Sequence, residues 1–288
     1  MKEQILKEIK ACSIPGTRPN GVNYSGLSVH DTACLSNIFN LIPRELEIIA
    51  LENDIIPERY IRNIDTFSCG DQIKVLNSKV SIIGLGGLGG TVAENLARIG
   101  IGRLVLVDFD SFENSNLNRQ SLCSHDTLKT YKVHAAQEKV NQINPSVTVE
   151  KYETLINEEN VSGILNNPDV VVDCLDSIDA RFIVEDASRQ IPAPVVSASV
   201  SGLCGHIMTV FPEDTGISLI HGPREEAGMV RAEYSSGILA HTASFAANIQ
   251  TSETIKIILK KGDLLRNEVF LFDFNQNFFH IRNLQPDV

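Results

Sequence analysis

The apolar residues of this chain fall into short runs whose period changes along its length. In residues 1–12, Ile5, Leu6 and Ile9 recur at helical spacing and predict a short amphipathic helix. Residues 13–31, SIPGTRPNGVNYSGLSVHD, are crowded with Gly, Pro, Asn and Ser and are expected to be loop. Helical spacing returns at 35–39 and 43–51. From residue 79, β-rich runs alternate with helical ones. Residues 80–83 and 103–107 read as buried strands, with a helix over 91–99 between them. A helix over 132–143 stops at Asn144-Pro145, because the residue before a proline avoids the helical region. Strands are expected at 147–152 and 170–174, and a helix at 178–189. This alternation predicts an α/β fold, Rossmann-like, whose mainly parallel sheet carries helices on both faces.

The last third has a different texture. Residues 195–200 and 206–211 read as strands, 237–261 as a long helix, and EVFLFDFNQNFFHIRNL as two strands about an Asn-Gln-Asn turn. An antiparallel C-terminal portion is expected to continue the sheet, with Phe270, Phe272 and Phe274 packing it. Residues 212–236 are polar and irregular, and a stretch of that kind inside a compact domain is often a functional loop or lid.

Composition narrows the classes. A chain of 288 residues is long enough for one large α/β domain with an added segment. The net charge of −11 leans away from a nucleic-acid surface. No apolar run approaches the roughly 18 residues of a membrane span, and the first residues, MKEQILKEIKAC, lack a secretory apolar core. A cytoplasmic protein is expected. The six cysteines contain no Cys-x-x-Cys pair, so reduced thiols and no zinc site are expected. Cys204 and Cys174 read as buried small residues rather than nucleophiles.

The chemistry begins at KVSIIGLGGLGG. Gly84-x-Gly86-x-x-Gly89 follows a strand and precedes a helix, the context of a dinucleotide-type phosphate loop. Glycines let the backbone approach phosphate closely, and the helix start offers unpaired N–H groups and positive dipole. Asp108 ends the next strand about 20 residues on, where a carboxylate can bond ribose hydroxyls. These features suit NAD and ATP equally. The residues beyond them do not: DFDSFENSNLNRQ sets two Asn, an Arg and a Gln past the ribose acid, and Lys132 opens a helix shortly after. A triphosphate losing pyrophosphate needs such groups, whereas hydride transfer has no evident use for them unless the enzyme prefers the 2′-phosphate of NADP.

Taken with INP and VVDCLDSIDAR, these motifs resemble the MoeB/ThiF/HesA family, the bacterial relatives of ubiquitin-activating enzymes, over residues 59–261. The resemblance implies adenylation of the C-terminal carboxylate of a small ubiquitin-like sulfur-carrier protein ending in Gly-Gly, with ATP and magnesium. By the same resemblance Gly84, Gly86, Gly87 and Gly89 underlie the nucleotide, Asp108 takes the ribose, and Asp110 is a neighbouring contact. Asn116, Arg119 and Lys132 hold the phosphates, and Ser115, Leu117 and Asn118 join them in binding the nucleotide. Asp176, with Ser177 beside it, positions magnesium. ERYIRN is similar to the family's Arg-Tyr-x-Arg segment and makes Arg62 an arginine finger that reaches across a homodimer. The catalytic set so implied is Arg62, Asn116, Arg119, Lys132 and Asp176.

The chain departs from the family in lacking the paired zinc cysteines, and no cysteine lies in residues 212–236, where thioester-forming relatives carry one. Adenylation without an enzyme thioester is therefore expected. Residues 59–288 are read as the adenylation domain and 1–58 as a helical and loop extension, a packing segment or dimer arm. Two other readings stay open from sequence: a tRNA threonylcarbamoyladenosine dehydratase-like activation of a carboxylate, and an NAD(P)-dependent oxidoreductase.

Overall fold

The structure is a computed structural model that describes residues 2–18, 20–227 and 237–284. In chain order its elements are α1 (Lys2–Cys12), β1 (Ile14–Thr17), β2 (Asn23–Leu27), α2 (Val29–Phe39), α3 (Pro43–Leu51), β3 (Ile55–Pro57), α4 (Cys69–Asn77), β4 (Lys79–Ile83), α5 (Gly89–Ile99), β5 (Arg103–Val107) and α6 (Lys132–Ile143). There follow β6 (Thr148–Tyr152), α7 (Val161–Leu165), β7 (Val170–Asp173), α8 (Ile178–Gln190), β8 (Val195–Ser201), β9 (Cys204–Val210), α9 (Ser218–His221), α10 (Arg224–Ala227), α11 (Ala240–Leu259), β10 (Glu268–Asp273) and β11 (Phe278–Asn283).

One sheet of eight strands organises the molecule, in the order β11-β10-β9-β8-β7-β4-β5-β6. Strands β8, β7, β4, β5 and β6 run parallel to one another. The turn at Gly202 reverses the chain, and β9, β10 and β11 complete the sheet antiparallel. The expected fold class is thus borne out. Because side chains alternate across a strand, each central strand feeds two cores. Val80 and Ile82, Leu104 and Leu106, and Val170 and Val172 face α5, α6 and α11. Ile83, Val105, Val107 and Val171 face α7 and α8. Burial on both faces explains why these strands read as unbroken apolar runs. Each such Val, Leu or Ile contributes about 1.5–3 kcal/mol when fully buried.

Residues 13–31, expected to be loop, instead supply β1 and β2. They pair antiparallel as a hairpin, and β3 adds in parallel. The turn carries Asn20-Gly21, with Gly21 at φ +83° and its N–H donating to Arg18 O at 2.9 Å. Asn-Gly is a strong hairpin signal, masked here by the Gly and Pro around it. Gly16 has no side chain because the ring of Tyr24, its cross-strand partner, occupies that space. Around this small sheet Ile5, Ile9, Leu27, Leu35 and Leu46 form a satellite core.

Arg44 of α3 donates to Gly102 O and to Thr148 Oγ1 of β6, and two further sets of contacts tie these first elements to the rest of the chain. Arg59 pairs with the buried Glu47 at 2.9 Å, Tyr60 Oη donates to Glu47 at 3.1 Å, and Asn144 Nδ2 donates to Tyr60 Oη at 3.0 Å. On the outside, Arg18 and Asn20 of the hairpin grip the carboxylate of Asp65, whose backbone sits at φ +106°. Asp65 belongs to the turn that carries Arg62.

Three further elements, β3, α4 and α7, were not expected. Helix α4 starts at Ser68, whose Oγ accepts from Asp71 N while Asp71 Oδ2 accepts from Ser68 N. This capping box overrides the two glycine-and-polar residues of its first turn. Of the stretch expected to be irregular, 212–227 contains the short helices α9 and α10, and 228–236 lies outside the described residues. The phenylalanines of β10 pack the sheet as expected: the Phe272 ring meets Phe245 of α11 edge-on at 4.9 Å. No helix among the described residues is long and apolar enough to cross a membrane.

Candidate active site

Strand β4 lies between β5 and β7, so the chain leaves it in one direction and returns on the other side. At such a switch point the loops after neighbouring strands diverge and open a crevice at their C-terminal ends. A cavity of about 510 Å³ occupies that place. Its wall gathers Gly84, Gly86 and Gly87 after β4, Asp108 and Asp110 after β5, and Asp176 after β7. Arg119 and Lys132 come to the same wall from the chain between β5 and α6.

The glycine loop is shaped by close approaches. Gly84 stands at φ +90°, and a Cβ there would lie 2.8 Å from Cys174 O. A Cβ on Gly89 would lie 1.8 Å from Gly84 O, so the first turn of α5 can close on the loop only without a side chain. Gly89 therefore supports the loop from beneath and does not line the cavity.

Asp108 is held in place before any ligand arrives. Its Oδ2 accepts from Leu85 N at 2.7 Å, and its Oδ1 accepts from Asp110 N at 2.8 Å. Lys132 donates to Asp110 Oδ2 at 2.8 Å and stands 3.9 Å from Asp108 Oδ1. Burial pushes the Asp108 carboxyl above its ordinary range, and the Lys132 ammonium and the two N–H donors oppose that. The ion pair and N–H bonds keep a carboxylate available in a poorly solvated place.

Beyond β5 the chain from Ser115 to Arg119 braces itself. Arg119 donates to Ser115 O at 3.0 Å and to Asn118 Oδ1 at 2.9 Å. Asn118 Nδ2 donates to Ile238 O at 3.0 Å, and Asn116 Oδ1 accepts from Glu113 N. Only Arg119 of this segment reaches the cavity wall among the described residues; Ser115, Asn116, Leu117 and Asn118 lie outside it. Ser177 is also off the wall and caps α8, its Oγ accepting from Ala180 N. Asp176 is exposed on the wall and makes no hydrogen bond or ion pair among the described residues. Arg62 is exposed, unpaired among the described residues and outside the wall of its own chain's cavity.

Arg181 escaped the sequence reading, and Gln120 stood in the motif without a role of its own. Arg181 is buried beneath Leu175, donating to Asp173 Oδ2 at 2.9 Å and Ser197 Oγ at 3.0 Å. Gln120, 6% exposed, faces the glycine loop. The signal for Arg181 was its place in the first turns of the helix after Asp176. Cys174 also reaches the wall, but burial pushes its thiol far up. Cys204, expected to be buried, is exposed because it opens β9 at the end of the sheet. Desolvation and the adjacent Asp273 raise its thiol.

Comparison with known proteins places this geometry. The ThiF family matches residues 59–287. The SAMP-activating enzyme E1 of Haloferax volcanii is 32% identical over 218 residues, covering 75% of this chain and 81% of that protein. The adenylyltransferase and sulfurtransferase MOCS3 of Drosophila sechellia is 33% identical over 247 residues, covering 82% of this chain. The chain spans about half the length of that relative, 53%. Among solved structures, E. coli MccB with ATP superposes with a TM-score of 0.71 at 23% identity, over 88% of this chain and 79% of that one.

Proposed function

Because the chain belongs to the ThiF family and is an adenylyltransferase, we propose that it adenylates the C-terminal carboxylate of a small ubiquitin-like carrier protein ending in Gly-Gly. A carboxylate oxygen of the tail attacks the α-phosphorus of ATP. The bond from that phosphorus to the bridging oxygen breaks, and pyrophosphate leaves with the electron pair. One observation carries the reading: a single cavity at the switch point gathers the glycine loop, the Asp108–Lys132 pair, Arg119 and Asp176.

A terminal carboxylate ionises near pH 3.5, so no general base is required. The obstacle is repulsion, since two like charges 4 Å apart oppose each other by about 4 kcal/mol at an effective dielectric near 20. Fixed cations remove that barrier and stabilise charge moving onto pyrophosphate. Arg119 and Lys132 supply them within one chain. Arg62 lies off its own cavity wall, and a homodimer would carry it to a second copy's site. The glycine loop and the start of α5 hold phosphate oxygens through backbone N–H groups. Asp176 would hold a magnesium ion, which when bound neutralises phosphate charge. A magnesium carried largely by phosphate and water needs no cage of protein ligands, and no group of three or more His, Cys, Asp or Glu suited to a metal occurs among the described residues. The raised thiols of Cys174 and Cys204 favour direct use of the acyl-adenylate without an enzyme thioester.

The test is exchange of labelled pyrophosphate into ATP with magnesium and candidate carriers. Carrier-dependent exchange is expected, and replacing Arg119 and Lys132 together should lower it at least about a hundredfold. Exchange that needs modified tRNA, or NAD(P)H binding with no exchange, would overturn the proposal. Single Cys174→Ala and Cys204→Ala variants should retain product transfer.

A further inference from the structure

The Asp176 side chain makes no hydrogen bond or ion pair among the described residues. The three residues before it, in contrast, are held one by one. Asp173 O accepts from Gln250 Nε2 at 2.8 Å. Cys174 N donates to Ile83 O at 2.9 Å. Leu175 N donates to Asp173 Oδ1 at 3.0 Å, and Leu175 O accepts from Arg181. The Cys174 carbonyl lies against the glycine loop, where a Cβ on Gly84 would meet it at 2.8 Å. A free carboxylate thus stands on a fixed turn.

Arg181 is the cation of that turn. It comes from the first turn of α8 and donates to Asp173 Oδ2 at 2.9 Å, to Ser197 Oγ at 3.0 Å and to Leu175 O. Ser197 Oγ donates in turn to Asp173 Oδ2 at 2.6 Å. The Arg181 and Asp173 side chains are only 4% and 2% exposed. A buried ion pair is costly to desolvate and adds little net stability over apolar packing. What a guanidinium adds is a planar fork of donors at fixed angles. Here the fork ties together the acid that ends β7, the neighbouring strand β8 and the carbonyl next to Asp176. Both of its terminal nitrogens are engaged in these bonds. A lysine would carry the charge without the fork.

Building on the adenylation reading, in which Asp176 holds magnesium, we infer that Arg181 is a positioning residue for that acid. By holding Leu175 O against Asp173 and Ser197, it sets the direction in which Asp176 enters the cavity. Magnesium demands near-ideal octahedral geometry, so a carboxylate whose backbone has swung loses the ion. The nucleotide's contacts with the glycine loop, Asp108 and Lys132 lie on other strands and stay. Arg181 therefore governs how strongly magnesium and ATP bind together, and leaves ATP alone unaffected.

The experiment measures the Kd for ATP by calorimetry on the full chain, with and without magnesium and with no carrier present. In the unaltered protein magnesium should tighten ATP about tenfold or more, and Asp176→Asn should remove most of that gain. Arg181→Lys should cut the gain about fivefold and leave the magnesium-free Kd within about twofold. Added to Asp176→Asn, it should change the remaining gain by about twofold or less, because both changes remove the same interaction. Equal losses from Arg181→Lys in the two backgrounds would overturn the proposal. So would ATP binding weakened to the same degree with and without magnesium, the mark of a merely structural role. Should Arg181→Lys fail to fold, Ser197→Ala carries the test, since it removes one partner and leaves the ion pair. It should cut the gain about twofold to fivefold, and an unchanged gain would overturn the proposal. If Asp176→Asn keeps the full gain, or the unaltered chain binds no ATP, the reading beneath falls and takes this inference with it. Either result is distinct from those that defeat Arg181 alone.

Discussion

The two sides of the cavity are built on opposite terms. Around the acid that ends β5 the charged groups are engaged with one another: Asp108 accepts two backbone N–H bonds, and Lys132 spans both aspartates. On the other side Asp176 and Gln120 have no partner among the described residues. The first side can be assembled by folding alone, and its geometry exists before a nucleotide arrives. The second is finished by what binds. Changes on the first side should therefore register in stability, and changes on the second in turnover.

The largest effect is expected from Gly89→Ala. Its Cβ would meet a backbone carbonyl at 1.8 Å that cannot move aside without opening the loop. Urea unfolding should show a loss of about 3 kcal/mol, and ATP binding should vanish. Lys132→Met should come next, at about 2 kcal/mol, because it strands Asp108 in a buried place without its cation. Asp108 already titrates high in the fold, so its ionisation opposes folding as pH rises through that value. Removing Lys132 pushes the carboxyl further up. The variant's deficit should thus be widest at neutral pH and shrink as the medium is acidified toward protonation of Asp108. A constant deficit from pH 7 to pH 4 would contradict the side-by-side contrast.

Arg119→Ala sharpens the comparison from the other side. Its guanidinium binds only its own turn, so unfolding should shift by about 0.5 kcal/mol or less, while exchange falls about a hundredfold. The smallest effect concerns the region below Arg181. The rings of His206 and His221 lie 5.6 Å apart at a tilt of 55°, and burial, with Arg181 as a like charge, holds both imidazoles below their ordinary value. A depressed native pKa means the unfolded chain takes up the proton first. Stability should fall as pH drops below about 6.5, and His206→Asn should flatten that slope.

Much of this was legible in the sequence because it rests on local pattern. The buried parallel strands, the glycine loop and the acid ending β5 are runs and spacings a single segment reveals. The satellite sheet was hidden because Asn20-Gly21 sits among other turn-forming residues, which drown a two-residue signal. The polar network of Glu47, Tyr60 and Asn144 spans 84 positions between its last two members. No periodicity announces a meeting so distant. Of the segment Ser115 to Arg119, sequence could place the cluster near phosphate, yet which side chain reached the wall depended on the turn's internal hydrogen bonds. Gln120 was visible in the motif, but its idleness is a property of burial and could be learned only from the packed structure.

The grip of Arg18 and Asn20 on Asp65 has a consequence for anyone who shortens this protein. Trimming the amino terminus would release a backbone held at an uncommon angle, and with it the turn from which Arg62 projects. The nucleotide crevice, assembled from residue 79 onward, would survive the cut. Under the homodimer proposed above, a truncated chain should still bind ATP yet present Arg62 to its neighbour in the wrong posture.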